Sequence, residues 1–317
     1  MRNLFLVLRK IFYEANERHS YKRNNKFLWV VCNVAFRMID IFLIAYLHLY
    51  QLLRLYPKPL KQTNDIVVSL TSFPKRIGKV WMVIDSMFHQ QLSPEKVLLY
   101  LSKEEFPNGR KDLPKRLLGY EKLGLEIYFR DDNIMPHKKY FYALQEYINK
   151  FVITIDDDIY YRNDLIQTLW NLHLQHPNSI CANTINIIQF DERHNFTLYR
   201  EWIRPYVPTA PSLLNIAIGY NGVLYPPHIF HSNEIFNKNN IKSLALKADD
   251  LWLKAHEVLQ KIPVVCGEYY SYGSLIGNQN VALFHSNAGN DQNDVQWEKL
   301  CQYYQIDKNS FMVLDTK

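Results

Sequence analysis

Short β-branched runs alternate with longer amphipathic segments across residues 65–155. Such short runs are typical of buried strands, and the longer segments are typical of helices that cover a sheet. The pattern predicts strands at 65–70, 96–102, 125–130 and 151–155, and helices at about 80–89, 113–124 and 139–150. Strands joined by crossover helices form an open sheet with right-handed connections. We therefore expect an α/β fold with an open, mostly parallel sheet flanked by helices.

Polar clusters follow three of these strands. The sequence TSFPKRI (71–77) comes after the first strand, RDDN (130–133) after the third, and DDD (156–158) after the fourth. In open α/β sheets, ligands bind beyond the carboxyl ends of the strands. The three clusters therefore predict one ligand site at that edge of the sheet.

Three consecutive aspartates close the fourth predicted strand. In an extended segment alternate side chains share a face, so Asp156 and Asp158 project together while Asp157 points away. Two converging carboxylates form a hard-oxygen site for Mg²⁺ or Mn²⁺, which would neutralise their repulsion. The alternative is an acidic turn in which an aspartate caps the next helix.

Three further segments carry candidate chemistry, and each has a structural alternative. Asp249 and Asp250 open the helical pattern DDLWLKAHEVLQK, where one of them could serve only as an N-cap. The segment IAIGYNGVLYPP (216–227) has two glycines that permit close backbone approach or form a simple turn. In LFHSN (283–287), His285 follows an apolar run and so lies at a predicted strand end, where a histidine is often structural.

The first 62 residues differ from the rest of the chain. They hold 11 Lys and Arg against 3 Asp and Glu, while the whole chain has a formal charge of +6. The apolar stretch 27–56 suggests a membrane span, but Arg37 and Asp40 interrupt it, even if they pair at spacing i, i+3. Three interpretations remain open: an interfacial helix on anionic lipid, a helical extension that packs on the body or on a second copy, and a true span. Pro57 and Pro59 mark a linker, so we expect a helical extension at 1–62 and a main domain at 63–310.

Composition narrows the class of protein. The chain has 317 residues, of which 48% are hydrophobic and 21% are charged, as in ordinary globular proteins. The excess basic charge lies in the N-terminal segment, which argues against nucleic acid as a partner of the folded body. The four cysteines form no CxxC pair, which favours a reducing compartment. We expect a cytoplasmic protein, peripheral on the cytoplasmic face of the inner membrane.

Four motifs in this order, TSFPKRI, DDD, ADDLWLKAH (248–256) and LFHSN, resemble those of the GT-A-fold glycosyltransferases. These enzymes move a sugar from a nucleotide-diphosphate sugar to an acceptor hydroxyl. The likeness is greatest to bacterial family 2-like enzymes of surface polysaccharide synthesis. It covers roughly residues 65–306 and implies a GT-A-like, Rossmann-type sheet with an Asp-x-Asp motif at the end of the fourth strand.

The resemblance also implies roles for individual residues. It implies Mn²⁺ or Mg²⁺ held by Asp158, by Asp156 (or Asp156 contacts the ribose instead) and by His285. Asp250 would be the catalytic base, with Asp249 as a cap or sugar contact. The implied nucleotide-sugar contacts are Thr71, Ser72, Pro74, Arg76, Asp131, Lys139 and Asp157. The implied acceptor or sugar contacts are Gly219, Asn221, Gly222 and Trp252, although burial of Trp252 in a helix is an equal alternative.

The function predicted from the sequence is metal-dependent transfer from a nucleotide-diphosphate sugar, with UDP favoured, to a saccharide or glycolipid acceptor. A single displacement with Asp250 as base would invert the anomeric centre, and a retaining outcome stays open. Two alternatives remain. One is a nucleotidyltransferase of related fold, for which TSFPKRI lacks the expected glycines. The other is a non-catalytic membrane-associated module that uses DDD as a calcium or structural site.

Overall fold

The computed structural model describes residues 2–22, 26–53, 55, 57–60, 65–267 and 292–312. The predicted domain boundary near residue 62 falls in a gap between these ranges, and it stays a prediction. The strands found in the described ranges are β1 (Ile66–Thr71), β2 (Lys96–Ser102), β3 (Leu125–Arg130), β4 (Phe151–Thr154), β5 (Ile180–Ala182), β6 (Ile185–Ile187), β7 (Thr209–Ser212), β8 (Asn215–Ala217), β9 (Val223–Tyr225) and β10 (Val264–Cys266).

Eight of these strands form one sheet in the order β3-β2-β1-β4-β9-β5-β10-β7. The pairs β2–β3, β1–β2, β1–β4 and β5–β10 are parallel. Strand β9 runs antiparallel between β4 and β5, and β7 runs antiparallel on the edge next to β10. Strands β6 and β8 form a separate antiparallel pair.

The α-helices in the described ranges lie before, between and after these strands. They are α1 (Arg2–Lys22), α2 (Lys26–Leu52), α3 (Pro74–Ile77), α4 (Val80–Met87), α5 (Lys115–Leu118), α6 (Lys138–Glu146), α7 (Leu165–Gln175), α8 (Lys238–Leu244), α9 (Asp249–Leu259) and α10 (Gln292–Tyr304). The predicted class is confirmed: a mostly parallel α/β sheet flanked by helices, with an N-terminal helical extension. The predicted helix at 113–124 divides into α5 and a 3₁₀ turn, Gly119–Leu123.

Both faces of the sheet are buried, which explains why its first strands are almost uniformly apolar. In β1, Ile66, Val68 and Leu70 belong to one apolar cluster, while Val67 belongs to a second. This alternation follows from the two-residue period of a strand. The sheet is thus a rigid platform, and the polar loops at its carboxyl edge are held by packing on both faces.

Helices α1 and α2 form an N-terminal hairpin that packs against the body. Leu6, Leu43 and Leu47 lie in the same apolar cluster as β1 and α4. The Gln51 side-chain amide donates to the Tyr120 hydroxyl at 3.2 Å. These contacts attach the start of α1 and the second half of α2 to the body.

A buried ion pair joins the two helices of this hairpin. Arg9 Nε lies 2.7 Å from Asp40 Oδ1, and the Arg9 side chain is fully buried over the Phe36 ring. The proposed i, i+3 pairing of Asp40 with Arg37 is not the main contact, because Asp40 faces α1 while Arg37 is exposed.

Asp85 on α4 is a buried hydrogen-bond acceptor that connects the hairpin with the loop after β4 that contains Asp156–Asp158, called the aspartate loop. Its carboxylate accepts hydrogen bonds from the hydroxyls of Tyr120 (2.9 Å) and Tyr160 (3.0 Å), and it pairs with Arg2 at 3.1 Å. Tyr160 lies two residues after Asp158. The cluster therefore anchors the start of α1 and the end of the aspartate loop to one helix.

We expect an Asp85→Leu substitution to destabilise the fold by about 3–5 kcal/mol, because it leaves the Arg2 charge and two hydroxyls without their acceptor. Asp85→Asn keeps one acceptor oxygen and should cost clearly less. The midpoints of urea unfolding of the two variants and the wild type measure both losses of stability. If Asp85→Leu unfolds at the wild-type midpoint, the cluster does not stabilise the fold.

Candidate functional site

The aspartate loop and the TSFPKRI loop meet at the carboxyl edge of the sheet. Strands β1 and β4 are parallel neighbours, with Ser69 opposite Thr154, so the segments that follow them are adjacent. Asp157 is buried and accepts hydrogen bonds from Ser72 Oγ and Arg76 Nη1, both at 2.6 Å. Arg76 Nη2 lies 3.2 Å from Asp158. Arg76 therefore offsets part of the repulsion within the three aspartates.

Asp156 is held on the other side of the loop by Lys139 of α6. Lys139 Nζ lies 2.7 Å from Asp156 Oδ1 and 2.9 Å from Asp249 Oδ2. The lysine side chain is 5% exposed, and the Lys139 carbonyl accepts a hydrogen bond from Ser69 Oγ of β1. A single buried ammonium group thus joins the aspartate loop to the first turn of α9.

The segment 216–227, called the glycine segment, reaches the same edge of the sheet because β9 runs antiparallel to β4. Val223, the first residue of β9, pairs with Thr154, the last residue of β4. The Gly219 backbone N–H donates to the Asp250 carboxylate at 3.2 Å from Oδ1. A β-carbon at Gly219 would lie 3.0 Å from Lys139 Nζ and 3.1 Å from Asp250 Oδ1, so a larger residue would require these two side chains to shift by a few tenths of an ångström. Gly222 has φ +90, a left-handed conformation that favours glycine.

The two aspartates that open α9 have opposite electrostatic environments. Burial and, next, the neighbouring Asp249 carboxylate raise the pKa of Asp250 well above its ordinary value. Burial, the largest single influence, would also raise the pKa of Asp249, but the Lys139 ammonium, His137 and hydrogen bonds together hold that pKa below its ordinary value. A pair of carboxylates with separated pKa values is typical of groups with different roles in proton transfer.

The donor set fits a hard divalent cation in charge and chemistry. Asp156, Asp157, Asp158, Asp249 and Asp250 supply five carboxylates, and the Arg76 and Lys139 cations can neutralise two of them. The Asp156 side chain is 34% exposed, whereas Asp157 is buried. In the described ranges no group of three or more His, Cys, Asp or Glu side chains forms a preorganised metal cage. His285, the predicted third ligand, lies outside the described residues.

Three side chains that were predicted to contact the ligand form hydrogen bonds within the chain. Trp252 is fully buried, and its indole N–H donates to the Ile235 carbonyl at 3.0 Å, so it is a core residue of α9 rather than a sugar platform. Asn221 is buried, and its amide donates to Thr184 Oγ1. Thr71 Oγ1 donates to the Tyr100 carbonyl. Trp252 thus belongs to the core, while the expected ligand contacts of Asn221 and Thr71 stay predictions.

The remaining predicted contacts lie around the TSFPKRI loop and at the end of β3. Ser72 and Arg76 contact Asp157 and the loop, as described above, and Pro74 is the first residue of α3. Asp131 is 86% exposed and pairs with Lys103. The structure thus brings together Ser72, Arg76, Lys139, Gly219 and the five aspartates, and it leaves Asp131 at the periphery.

Two residues of this region carried no signal in the sequence analysis. The Tyr161 hydroxyl donates to the Tyr220 carbonyl (2.7 Å) and accepts from the Asp156 N–H (2.9 Å), so it ties the aspartate loop to the glycine segment. His137 is fully buried, and burial lowers its pKa to about 4. Its Nε2–H donates to the Ala245 carbonyl, which positions the turn before α9. Tyr161 could have been found from its place just after the aspartates; His137 has no local signature.

No protein-family model matches the sequence, and no curated protein matches it. Two solved structures are similar to the chain in fold. The mannosyltransferase PcManGT of Pyrobaculum calidifontis, solved with GDP-mannose and Mn²⁺, is 9% identical over 79% of this chain and 68% of its own, with a TM-score of 0.49. The 4-diphosphocytidyl-2C-methyl-D-erythritol synthase of Anaerococcus prevotii is 13% identical over 71% of this chain and 96% of its own, with a TM-score of 0.43. At these values neither likeness assigns an activity.

Proposed function

We propose that the chain is a metal-dependent glycosyltransferase that moves a sugar from a nucleoside-diphosphate sugar to an acceptor hydroxyl. One observation carries this proposal. The buried Lys139 ammonium joins a carboxylate-rich strand end, Asp156–Asp158, to a second acidic pair whose pKa values are separated. Glycosyl transfer needs both groups of carboxylates, because one must help to stabilise the leaving diphosphate while the other accepts the proton of the acceptor hydroxyl.

Asp156 and Asp158 are the groups that would hold Mn²⁺ or Mg²⁺. A bound ion supplies Lewis-acid stabilisation of the negative charge that develops on the leaving diphosphate. Asp157 has a different role, because its hydrogen bonds to Ser72 and Arg76 fix the loop so that its neighbours are presented beyond β4. Arg76 contacts Asp157 and Asp158, while Asp156 contacts Lys139, so the two proposed metal ligands would have to turn towards a shared ion when it binds.

Asp250 is the proposed base. Its raised pKa makes it a better proton acceptor than an ordinary aspartate, and the Gly219 N–H orients its carboxylate. Asp249 remains ionised beside Lys139 and holds the first turn of α9 in place. A single displacement with Asp250 as base inverts the anomeric configuration of the transferred sugar.

The substrates follow from this chemistry. We propose a nucleoside-diphosphate donor, with UDP favoured, and a saccharide or glycolipid acceptor used in surface polysaccharide synthesis. Backbone and side-chain groups of the TSFPKRI loop would contact the diphosphate, since Arg76 of this loop contacts Asp157 and Asp158. Gly219 lies on the acceptor side, next to Asp250.

The test is release of nucleoside diphosphate from a panel of sugar nucleotides by the full chain. We expect slow hydrolysis of at least one sugar nucleotide with Mn²⁺ or Mg²⁺, and its loss when EDTA removes the metal. Asp158→Asn should lower the rate by about 100-fold or more, since it weakens the metal site.

Asp65→Asn is the matched control, because Asp65 is exposed and adjoins the opposite end of β1. It should leave the rate unchanged. Formation of pyrophosphate from a nucleoside triphosphate and a sugar phosphate would instead support a nucleotidyltransferase. If the folded chain binds neither metal nor any sugar nucleotide, the proposed function is wrong.

A further inference from the structure

Helix α2 carries a continuous apolar stripe that no described part of the chain covers. Phe27, Val31, Val34, Met38, Ile41 and Leu49 are each between 44% and 74% exposed. Their spacing of three, four and eight residues places them on one side of the helix. The opposite side is buried against α1 and the body, through Cys32, Phe36, Asp40, Leu43 and Leu47. This stripe is called the outer face of α2 below.

The attachment of α2 to the body limits how it can meet a membrane. Residues 27–52 are long and apolar enough to span, with a mean hydropathy of 2.0 over an 18-residue window. However, Leu43, Leu47 and Gln51 are fixed to the body, so at most residues 27–42 could enter a bilayer. At 1.5 Å per residue these extend only about 24 Å, less than the hydrocarbon core of about 30 Å. The exposed Arg37 lies within the same stretch. The whole outer face can contact lipid only if α2 lies along the surface.

The charge of the hairpin favours an anionic membrane over a second copy of the chain as the binding partner of the outer face. Residues 1–62 carry 11 basic and 3 acidic side chains. A second copy of the hairpin would bring the same positive charge against this one, which opposes self-association. The surface of an anionic bilayer instead attracts basic side chains and accepts apolar ones at the headgroup boundary. Arg2 and Arg9 do not contribute, since they pair with Asp85 and Asp40 inside the fold.

We propose that the outer face of α2 lies in the plane of an anionic membrane leaflet and holds the folded body against it. The hairpin is then an in-plane anchor rather than a membrane span. The outer face contains none of the residues of the candidate site, so this inference does not depend on the proposed function.

Flotation of the full chain with lipid vesicles tests the proposal. We expect binding to phosphatidylcholine–phosphatidylglycerol vesicles, weaker binding to phosphatidylcholine alone, and release by high salt. Ile41→Glu should lower the partition coefficient by about tenfold or more, because it places a charge in the stripe. Leu174→Glu is the matched control: Leu174 is 63% exposed on α7, close to the 60% of Ile41, and this variant should bind as the wild type does.

Depth measurements separate an in-plane helix from a span. A fluorophore attached in the Phe27→Cys and Met38→Cys variants should be quenched to the same extent by lipids brominated near the headgroup. Stronger quenching of the Met38→Cys label by lipids brominated at the chain ends would overturn the in-plane arrangement.

Two other outcomes would also overturn the proposal. One is that the wild-type chain binds no anionic vesicles. The other is a dimer in solution that Ile41→Glu converts to a monomer without any vesicle binding, which would assign the outer face to a second copy. Sugar-nucleotide hydrolysis by the unbound protein is unaffected by either outcome, so failure of the anchor is distinguishable from failure of the proposed function.

Discussion

An Asp250→Asn variant is expected to lose sugar transfer and at the same time to unfold at a higher temperature. The loss of transfer should reach about 10²–10⁴-fold, the usual contribution of a general base. The gain in stability follows from the raised pKa of Asp250, since above the ordinary aspartate pKa the ionised carboxyl is less stable in the folded chain than in the unfolded chain. An amide of the same shape can still accept the Gly219 N–H. Transfer rate and thermal unfolding midpoint measure the two effects.

The pH dependence gives the sign of the stability effect. Below the ordinary aspartate pKa of about 3.9, the Asp250 carboxyl is protonated in both the folded and the unfolded chain. As the pH rises through that value, the unfolded chain releases its proton first, and the wild type loses stability until the folded pKa is passed. The midpoints of Asp250→Asn and the wild type should therefore agree at low pH and separate above it. A difference of about 1 kcal/mol corresponds to roughly 2–4 °C.

Asp249→Asn is the matched control because its environment is the reverse. The pKa of Asp249 is held below its ordinary value, so its ionised form stabilises the fold at neutral pH, and this stabilisation is lost as the pH falls through the folded pKa. Asp249→Asn should therefore unfold at a lower temperature than the wild type at neutral pH. If both variants shift the midpoint in the same direction, the proposed separation of the two pKa values is wrong.

The pH–rate profile of the wild type should rise with pH through the raised pKa of Asp250, because only the carboxylate accepts the acceptor proton. That limb belongs to Asp250 if it disappears in Asp250→Asn while a small residual rate remains. A limb that persists in the variant would assign the base to another group.

The sheet could be predicted from the sequence because its strands are local. The runs at 65–70 and 96–102 each have an apolar pattern that is buried on both faces, and their polar ends fall at one edge in any parallel arrangement. The antiparallel insertion of β9 was not predicted, since a strand of three residues has little periodicity. That insertion is what brings Gly219 to the aspartates.

The position of three aspartates after a strand could be predicted from the sequence, but the partners of their side chains could not. Strand geometry indicated that Asp156 and Asp158 project together, whereas Arg76 contacts Asp157 and Asp158, and Asp156 contacts Lys139. The roles of Lys139 and Arg76 depend on contacts between residues 17 and 81 positions apart, which no local pattern contains. Trp252 shows a second limit of sequence-based prediction. Its helical spacing is compatible with a core position and with a ligand contact, and only the packing in the structure shows that it lies in the core.

The second large effect is expected from Lys139→Met. Loss of this buried ammonium leaves Asp156 and Asp249 without their shared cation, which should destabilise the fold by about 3–5 kcal/mol. Transfer should fall by about 100-fold or more even in the folded fraction, because the aspartate loop and the start of α9 are no longer held together. Urea unfolding and the rate per folded molecule measure these two quantities.

Lys254→Met provides the control for this variant. Lys254 is also fully buried on α9 and pairs with Glu257, but it contacts the Leu213 carbonyl and none of the five aspartates. It should lose comparable stability and keep its rate per folded molecule. If Lys139→Met behaves in the same way, Lys139 is a structural cation only. If the rate of Lys139→Met falls while that of Lys254→Met does not, the link that Lys139 makes between the two acidic groups is part of the function. Lys139 then offsets the repulsion among the aspartates while leaving the site able to bind a cation and to accept a proton.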